Sequence, residues 1–256
     1  MARIKQFIKD KLQVQIYDNS EEMGLQAANL TADLIRRLLE TKENVNMIFA
    51  AAPSQNSMLY HLVQQRNIDW TRINAFHMDE YIGLPENAEQ SFGNYLKTHI
   101  FSFLPFKSIN YLSGNASDLD SECQRYSELL SYYPVDIVCL GIGENGHIAF
   151  NDPWNADFAD SKTVKIVVLD PVCRQQQVND GCFAKLDDVP EKALTLTIPA
   201  LVKASHMICC VPHLNKRLAV KRTIFDEISV QTPATVLRNH DSAVLFCDRE
   251  SGKDIL

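Results

Sequence analysis

The 256-residue sequence lacks several features that would assign it to common functional classes. No segment approaches the roughly 20 consecutive apolar residues of a membrane-spanning helix, so no membrane association is predicted. The N-terminal segment MARIKQFIKDKLQVQIYD alternates charged and apolar residues, without the continuous apolar stretch of a signal peptide. The net charge of −7 and the absence of a basic cluster argue against nucleic acid as a partner.

The cysteine pattern indicates a reducing compartment. The sequence contains seven cysteines, which is an odd number, and they show no C-x-x-C spacing. Most of them fall inside apolar, strand-like runs. We therefore predict buried free thiols and a cytoplasmic location. The seven are Cys123, Cys139, Cys173, Cys182, Cys209, Cys210 and Cys247.

Motifs for metal and serine chemistry are also missing. No H-E-x-x-H motif or cluster of Cys and His predicts a zinc site, and no G-x-S-x-G motif predicts a serine hydrolase. Most histidines stand singly in the sequence, and we interpret them as structural, with His240 a candidate for the rim of a site. The single histidines are His61, His77, His99, His206, His213 and His240.

Short apolar runs rich in Val, Ile, Phe and Cys alternate with longer amphipathic segments. This alternation is typical of an α/β fold with three layers, a doubly wound, mainly parallel and Rossmann-like sheet flanked by helices. No internal repeat or long linker interrupts the pattern, so residues 1–256 are predicted to form a single domain. The predicted strands are 14–17, 45–51, 73–77, 135–141, 164–169, 193–198, 206–211 and 243–247.

The first predicted helix has the clearest signals. Asn19 or Ser20 can cap its N-terminus, and Glu21 and Glu22 complement the helix dipole. Its apolar face is predicted to consist of Leu25, Ala28, Ala32, Ile35 and Leu39.

Two carboxylates follow the strand predicted at residues 73–77, in the segment INAFHMDEYIGLP. Doubly wound sheets bind ligands at the carboxyl ends of their strands, so Asp79 and Glu80 are candidates for a general base in a partly desolvated cleft. Position alone favours a different interpretation, in which both side chains cap the next element or solvate a loop. Phe76 and Tyr81 weigh against a solvated loop because they can exclude water.

The segment DIVCLGIGENGHIAFNDP, residues 136–153, follows another buried strand and carries three glycines within six residues. Such a turn permits close approach of the backbone to a ligand. The G-x-G-x-x-G spacing matches the dinucleotide fingerprint, but a histidine and a proline stand where the phosphate-binding helix should begin. His147 alone is as readily structural as functional, whereas its neighbours Asn145 and Asp152 favour a proton relay.

With these two segments the chain resembles the glucosamine-6-phosphate deaminase family, whose superfamily includes 6-phosphogluconolactonases. The family's asparagine- or histidine-methionine-aspartate-glutamate-tyrosine motif matches residues 77–81, and its G-H-I-x-F-N-E-P motif matches residues 146–153. The segments VPEKALT, residues 189–195, and LRNH, residues 237–240, extend the similarity along nearly the whole chain.

The resemblance implies acid–base isomerisation without a metal or an organic cofactor. Asp79 matches the base that moves a proton between C2 and C1 through an enolamine, and His147 matches the residue that assists opening of the sugar ring. Asn145 and Asp152 match the residues that orient this histidine, and Asp152 stands where most relatives carry the longer Glu. Gly146, in the same motif, is assigned to substrate binding.

The implied phosphate site departs from the family pattern. Relatives carry a T-G-x-T-P loop after the second strand, whereas residues 51–57 read AAPSQNS, without the glycine. By alignment Ser54 and Gln55 face the phosphate, to which both can donate hydrogen bonds. Lys216 matches a phosphate-contacting lysine, although a lysine there is otherwise a surface charge. An arginine of many relatives corresponds to Gly181, and Arg174 is the candidate replacement.

Three functions are therefore open. The leading hypothesis is conversion of glucosamine 6-phosphate, or a related amino-sugar phosphate, into fructose 6-phosphate and ammonia. The alternatives are a 6-phosphogluconolactonase-like hydrolase and a non-catalytic sugar sensor, although only about a dozen residues precede the first predicted strand, too few for a DNA-binding domain. A small sugar phosphate is the expected partner, and the sequence is compatible with a homo-oligomer. Residues 154–173 contain no arginine for the effector pocket of hexameric relatives.

Overall fold

The structure is a computed structural model that describes residues 3–256, and it contains eleven strands within that range. In chain order these are β1 (Lys5–Lys9), β2 (Leu12–Ile16), β3 (Val45–Phe49), β4 (Ile73–His77), β5 (Asp79–Tyr81), β6 (Ser108–Asn110), β7 (Ile137–Leu140), β8 (Val164–Val168), β9 (Lys192–Leu196), β10 (His206–Val211) and β11 (Ala243–Cys247). Met1 and Ala2, which begin the segment compared with signal peptides, lie outside the described residues.

Eight strands form one large sheet in the order β1-β2-β11-β10-β7-β3-β4-β6. The β1–β2 pair is antiparallel, and the other neighbouring pairs are parallel. The predicted α/β fold with a mainly parallel sheet is therefore confirmed. The edge strand β1 was not predicted. Its sequence, KQFIK, carries a lysine at each end, and such charges commonly protect a sheet edge from further pairing.

Three further strands form a separate antiparallel sheet in the order β5-β9-β8. Two predicted strands, 164–169 and 193–198, therefore lie outside the parallel sheet. A short apolar run predicts a strand but does not identify its partner, which explains this difference. The chain passes from the large sheet to the small one at Met78, whose carbonyl oxygen accepts a hydrogen bond from the backbone N–H of Leu196 at 2.8 Å.

Seven α-helices lie within residues 3–256, and none of them is long and apolar enough to cross a membrane. They are α1 (Ser20–Thr41), α2 (Asn56–Val63), α3 (Phe92–Leu96), α4 (Leu119–Tyr132), α5 (Pro171–Asn179), α6 (Ile198–Val202) and α7 (Arg217–Phe225).

The helices cover both faces of the large sheet, as strand β7 illustrates. Ile137 and Cys139 of β7 belong to one hydrophobic cluster, which also contains buried residues of α1 and α2. Val138 and Leu140 belong to a second cluster, which contains buried residues of α4 and α7. Because successive side chains of a strand point to opposite faces, this alternation produces three layers. The carboxyl ends of the central strands remain at the rim, between these layers.

Helix α1 begins as the sequence predicts. Asn19 is its N-cap, and the Asn19 Oδ1 accepts a hydrogen bond from the backbone N–H of Glu22 at 2.8 Å. Ala28, Ala32 and Ile35 of the predicted apolar face are fully buried against the sheet.

We expect Asn19→Ala to lower the free energy of unfolding by about 1 kcal/mol, because the backbone N–H of Glu22 loses its acceptor. Urea denaturation of the purified protein measures this difference. Asn87→Ala, in an exposed turn, is the matched control and should change stability by less than about 0.5 kcal/mol. Equal stability of the two variants would contradict the capping role.

Candidate active site

A cavity lies at the carboxyl ends of β3, β4, β7 and β10. Four of the predicted site residues, Ser54, Asp79, His147 and Lys216, line it together, although up to 162 positions separate them in the sequence. The full lining consists of Ala50, Ala51, Ala52, Pro53, Ser54, Met78, Asp79, Phe92, Gly141, Ile142, Gly143, His147, Ala149, Phe150, Gln176, Gln177, Asp180 and Lys216.

Asp79 is a buried carboxyl group without a hydrogen-bond partner. Its side chain is 7% exposed, and no hydrogen bond or ion pair joins it to any group of residues 3–256. Burial, and to a lesser extent the charge of Glu80, raises the pKa of Asp79 well above its usual range. A desolvated carboxylate of this kind has a strong affinity for a proton, which is the property required of a general base.

Glu80, the neighbouring carboxylate, has a structural role. Its two oxygens accept hydrogen bonds from three backbone N–H groups, those of Tyr81 at 2.9 Å, Phe92 at 3.0 Å and Gly93 at 2.9 Å. Burial raises the pKa of Glu80, and these three N–H groups offset part of the rise. Glu80 thus joins β5 to the start of α3, and the capping interpretation of the sequence holds for this residue.

His147 is held by a short hydrogen-bonded relay. Its Nδ1 lies 2.8 Å from the Oδ1 of Asn145 and 3.0 Å from the Oδ1 of Asp152, and the Asn145 Nδ2 donates to the same Asp152 oxygen at 2.9 Å. Asp152 is fully buried. Burial alone raises the pKa of Asp152, but the hydrogen bonds and charge of His147 outweigh burial, so the pKa is lowered. An aspartate, shorter than the usual glutamate, therefore reaches the imidazole.

The relay leaves one ring nitrogen of His147 for a ligand. Because Nδ1 faces Asn145 and Asp152, Nε2 is the nitrogen available to the cavity that His147 lines. Gly143 makes room for the ring, since a Cβ atom at position 143 would lie 2.1 Å from the imidazole Cε1. The second glycine of the turn is therefore determined by packing against His147.

The glycine-rich turn does not form a dinucleotide site. The backbone N–H groups of Gly143, Gly146 and His147 donate to His147 O, Gly143 O and Asn145 Oδ1, so the turn itself uses them. The N–H of Glu144 donates to the Oε1 of Gln176 at 2.8 Å. The next helix, α5, begins only at Pro171. Gly146, predicted to bind substrate, fixes this turn and is not among the lining residues.

The cavity wall also carries a buried cation. Lys216 is 5% exposed, and its ammonium group forms no hydrogen bond or ion pair with residues 3–256. Burial lowers the pKa of Lys216, and the nearby charges of Asp180 and Glu144 oppose this decrease. Because a buried ammonium group without a partner is costly, its presence on a cavity wall indicates an anionic or strongly polar ligand.

The loop after β3 contributes Ser54 but not Gln55. Ser54 lines the cavity, as predicted. Gln55 is fully buried beneath the loop, where its Nε2 donates to the Ser54 Oγ at 3.0 Å and to the Cys210 carbonyl oxygen at 3.2 Å. Gln55 therefore does not face the cavity, in contrast to its predicted phosphate-facing position. Alignment located this loop but did not determine which of two adjacent side chains points inward.

Arg174 also differs from its predicted role. Its guanidinium group donates hydrogen bonds to the carbonyl oxygens of Leu186 and Val189, at distances from 2.8 to 3.2 Å, and Arg174 does not line the cavity. It ties α5 to the following 3₁₀ turn. Other residues of α5 and its C-cap, namely Gln176, Gln177 and Asp180, line the cavity instead. The sequence signal for them was weak, because they are polar residues in a polar helix.

Two of the single histidines, His77 and His240, have structural contacts. His77 is fully buried, its Nε2 accepts a hydrogen bond from the N–H of Leu112 at 2.7 Å, and burial lowers its pKa to about 4. His240 lies at the amino end of the parallel sheet, where its Nε2 is 2.8 Å from the Ala204 carbonyl oxygen. The prediction that His240 lies near the rim of the site was therefore wrong.

Two groups of side chains bring potential metal ligands close together. The ligand atoms of His147, Asp152 and Cys173 lie within 4.8 Å of one another, as do those of His213, Asp248 and Glu250. In the first group, the Asp152 Oδ1 contacts His147 and Asn145, whereas the buried Asp152 Oδ2 has no hydrogen-bond partner among the described residues. The expectation of chemistry without a metal or organic cofactor stays a prediction.

Comparison with known proteins places this geometry in a family. The family model described as glucosamine-6-phosphate isomerases/6-phosphogluconolactonase matches residues 18–246. The chain belongs to this family. Glucosamine-6-phosphate deaminases of Bacillus cereus (strain B4264) and Bacillus anthracis (strain CDC 684 / NRRL 3495) are each 34% identical to it over 218 residues, which cover 85% of this chain and 81% of each relative. The resemblance predicted from the motifs is confirmed.

Solved structures of the family share the fold. A monomeric glucosamine-6-phosphate deaminase, described as a missing link of the NagB superfamily, is 30% identical with a TM-score of 0.85, covering 94% of this chain and 98% of that one. The 6-phosphogluconolactonase of Thermotoga maritima is 20% identical with a TM-score of 0.75, covering 93% of this chain and all of that one. The second likeness concerns the fold alone.

The two adjacent carboxyl groups should respond oppositely to the same chemical change. We expect Asp79→Asn to raise the free energy of unfolding at pH 8 by about 1 kcal/mol, because it removes a desolvated charge that lacks partners. We expect Glu80→Gln to lower it by about 1–2 kcal/mol, because the amide cannot accept all three N–H bonds. Denaturant unfolding of both variants measures these changes.

The pH dependence of the free energy of unfolding tests whether the raised pKa of Asp79 causes this difference. A raised pKa in the folded state means that wild-type stability is greatest below the usual carboxyl pKa and falls as the pH rises through the folded pKa. The gain from Asp79→Asn should therefore vanish near pH 3. A destabilised Asp79→Asn variant at pH 8 would show that the carboxylate has partners in solution.

Proposed function

We propose that the chain is an amino-sugar phosphate deaminase and aldose–ketose isomerase, which converts glucosamine 6-phosphate into fructose 6-phosphate and ammonia. The observation that carries the proposal is the placement of the bare carboxyl group of Asp79, the relay-held His147 and the buried Lys216 around one cavity. Family membership, and relatives named as glucosamine-6-phosphate deaminases, support the same reaction class.

Ring opening is the first step of the proposed mechanism. The Nε2 of His147 accepts the proton of the C1 hydroxyl group and returns it to the ring oxygen, which gives the open aldehyde. Asp152 and Asn145 hold Nδ1 and stabilise the transient imidazolium ion. This arrangement fixes the orientation of the ring before substrate binds.

Proton transfer is the second step. The Asp79 carboxylate removes the proton from C2, and the resulting enolamine has its double bond between C1 and C2. Asp79 then delivers the proton to C1, which gives an iminium group at C2. Water adds to this carbon, and ammonia leaves, so one water molecule is consumed for each ammonia released. The burial of Asp79 supports this role, because desolvation strengthens the base.

Lys216 is proposed to bind the phosphate group, with the Ser54 hydroxyl group as a hydrogen-bond donor. Both side chains line the cavity that contains Asp79. A location in the cytoplasm is also proposed, and the seven free cysteines support it. Single-domain organisation and assembly into a homo-oligomer stay predictions, and one of the structural relatives is described as monomeric.

The activity test measures ammonia and fructose 6-phosphate released from glucosamine 6-phosphate. We expect turnover by the wild type and a decrease in kcat of about 100-fold or more for Asp79→Asn, because the base is lost. Asp187→Asn, an exposed aspartate outside the cavity, is the control with the same chemical change and should retain full activity.

The raised pKa of Asp79 also predicts that kcat/KM increases with pH above the usual carboxyl range. Turnover by the folded Asp79→Asn variant at the wild-type rate would reject the mechanism. Absence of wild-type turnover, with hydrolysis of 6-phosphogluconolactone, would favour the lactonase. Binding of the sugar phosphate without any turnover would favour the sensor.

Lys216→Met tests the phosphate contact. We expect kcat/KM for glucosamine 6-phosphate to fall tens- to hundreds-fold, mainly through KM, because a buried charge partner of the phosphate is removed. The exposed Lys221→Met is the matched control and should match the wild type. Equal losses with glucosamine and glucosamine 6-phosphate would contradict a phosphate-specific role for Lys216.

A further inference from the structure

Asp180 places a carboxylate on the cavity wall near Lys216. It is the C-cap of α5, and it lines the same cavity as Ser54 and Lys216. Two side chains hold it: the Gln176 Nε2 donates to its Oδ2 at 3.3 Å, and the Asn215 Nδ2 lies 3.4 Å from its Oδ1. Asp180 is half-buried and contacts neighbouring side chains through both carboxylate oxygens.

A second carboxylate lies close to the same cation. Asn215 also donates to the Oε1 of Glu144 at 3.0 Å, so its amide group bridges Glu144 and Asp180. Both carboxylates act on the Lys216 ammonium group, and neither forms an ion pair with it. One ammonium group is thus accompanied by two nearby carboxylates, of which Asp180 lines the cavity and Glu144 does not. Gly181, next in the chain, supplies no side chain to change this balance.

This charge balance matters for a phosphate group. A dianion beside Lys216 gains the attraction of one ammonium group, and it also meets the repulsion of a fixed carboxylate on the same wall. A hydroxyl group can instead donate a hydrogen bond to Asp180. The two ligands therefore differ in their interaction with Asp180 far more than in their interaction with Ser54, whose hydroxyl group can serve either.

We propose that Asp180 is a specificity-determining residue. Its negative charge reduces the preference of the site for a phosphorylated over an unphosphorylated amino sugar. This inference rests on the proposed function, since it assumes that the cavity binds the sugar with its C6 group towards Lys216. Asp180 acts on affinity for the C6 substituent, and the proton transfers at C1 and C2 do not involve it.

The test compares kcat/KM for glucosamine 6-phosphate with kcat/KM for glucosamine, in the wild type and in Asp180→Asn. The amide keeps the size of the side chain and an acceptor oxygen, and it removes the charge. We expect the ratio of the two values to rise about tenfold, through a lower KM for the phosphorylated sugar. Asp187→Asn, the same change at an exposed position seven residues away, should leave the ratio unchanged.

A binding measurement separates this inference from the proposed function. Calorimetric titration with inorganic phosphate should show about tenfold tighter binding to Asp180→Asn than to the wild type or Asp187→Asn. If neither sugar is turned over by the wild type, the proposed function fails, and the titration still tests Asp180. Equal phosphate affinity of folded wild type and Asp180→Asn, or an unchanged kcat/KM ratio, would overturn the inference.

Discussion

The site depends on the contrast between two adjacent carboxyl groups at the end of β4. The Glu80 carboxylate accepts hydrogen bonds from three backbone N–H groups, whereas the Asp79 carboxylate accepts none, although both side chains are buried. Pairing of β5 with β9 fixes which of the two faces the cavity, because alternate residues of a strand point to opposite sides. One side chain thereby anchors the local fold, and the other keeps a high proton affinity at a cost in stability.

His147, the proposed ring-opening residue, is positioned relative to Asp79 only through the large sheet. His147 follows β7 and Asp79 follows β4, and β3 lies between these strands. Their spacing across the cavity is therefore set by backbone hydrogen bonds in the parallel sheet, not by a direct contact. The buried Asp152 carboxylate then fixes the imidazole ring locally. Such rigid support reduces the reorganisation that proton transfer would otherwise require.

Much of the fold and part of the site could be predicted from the sequence. The apolar runs located β10 and β11 residue for residue, because a buried parallel strand is hydrophobic along its whole length. The motifs identified Asp79 and His147, since each motif lies within one short segment. The antiparallel sheet, the inward position of Ser54 rather than Gln55, and the role of Arg174 depend on contacts between distant segments. Asp180 has no local signal at all, because only packing brings α5 over the cavity.

In the proposed mechanism, Asp79 moves the C2 proton. Glucosamine 6-phosphate labelled with deuterium at C2 tests it most directly, with loss of the label from C2 followed by nuclear magnetic resonance. We expect loss of the label with the wild type and none with folded Asp79→Asn, whose His147 relay is intact. Loss of the label at equal rates with both proteins would contradict the assignment of Asp79 as the base.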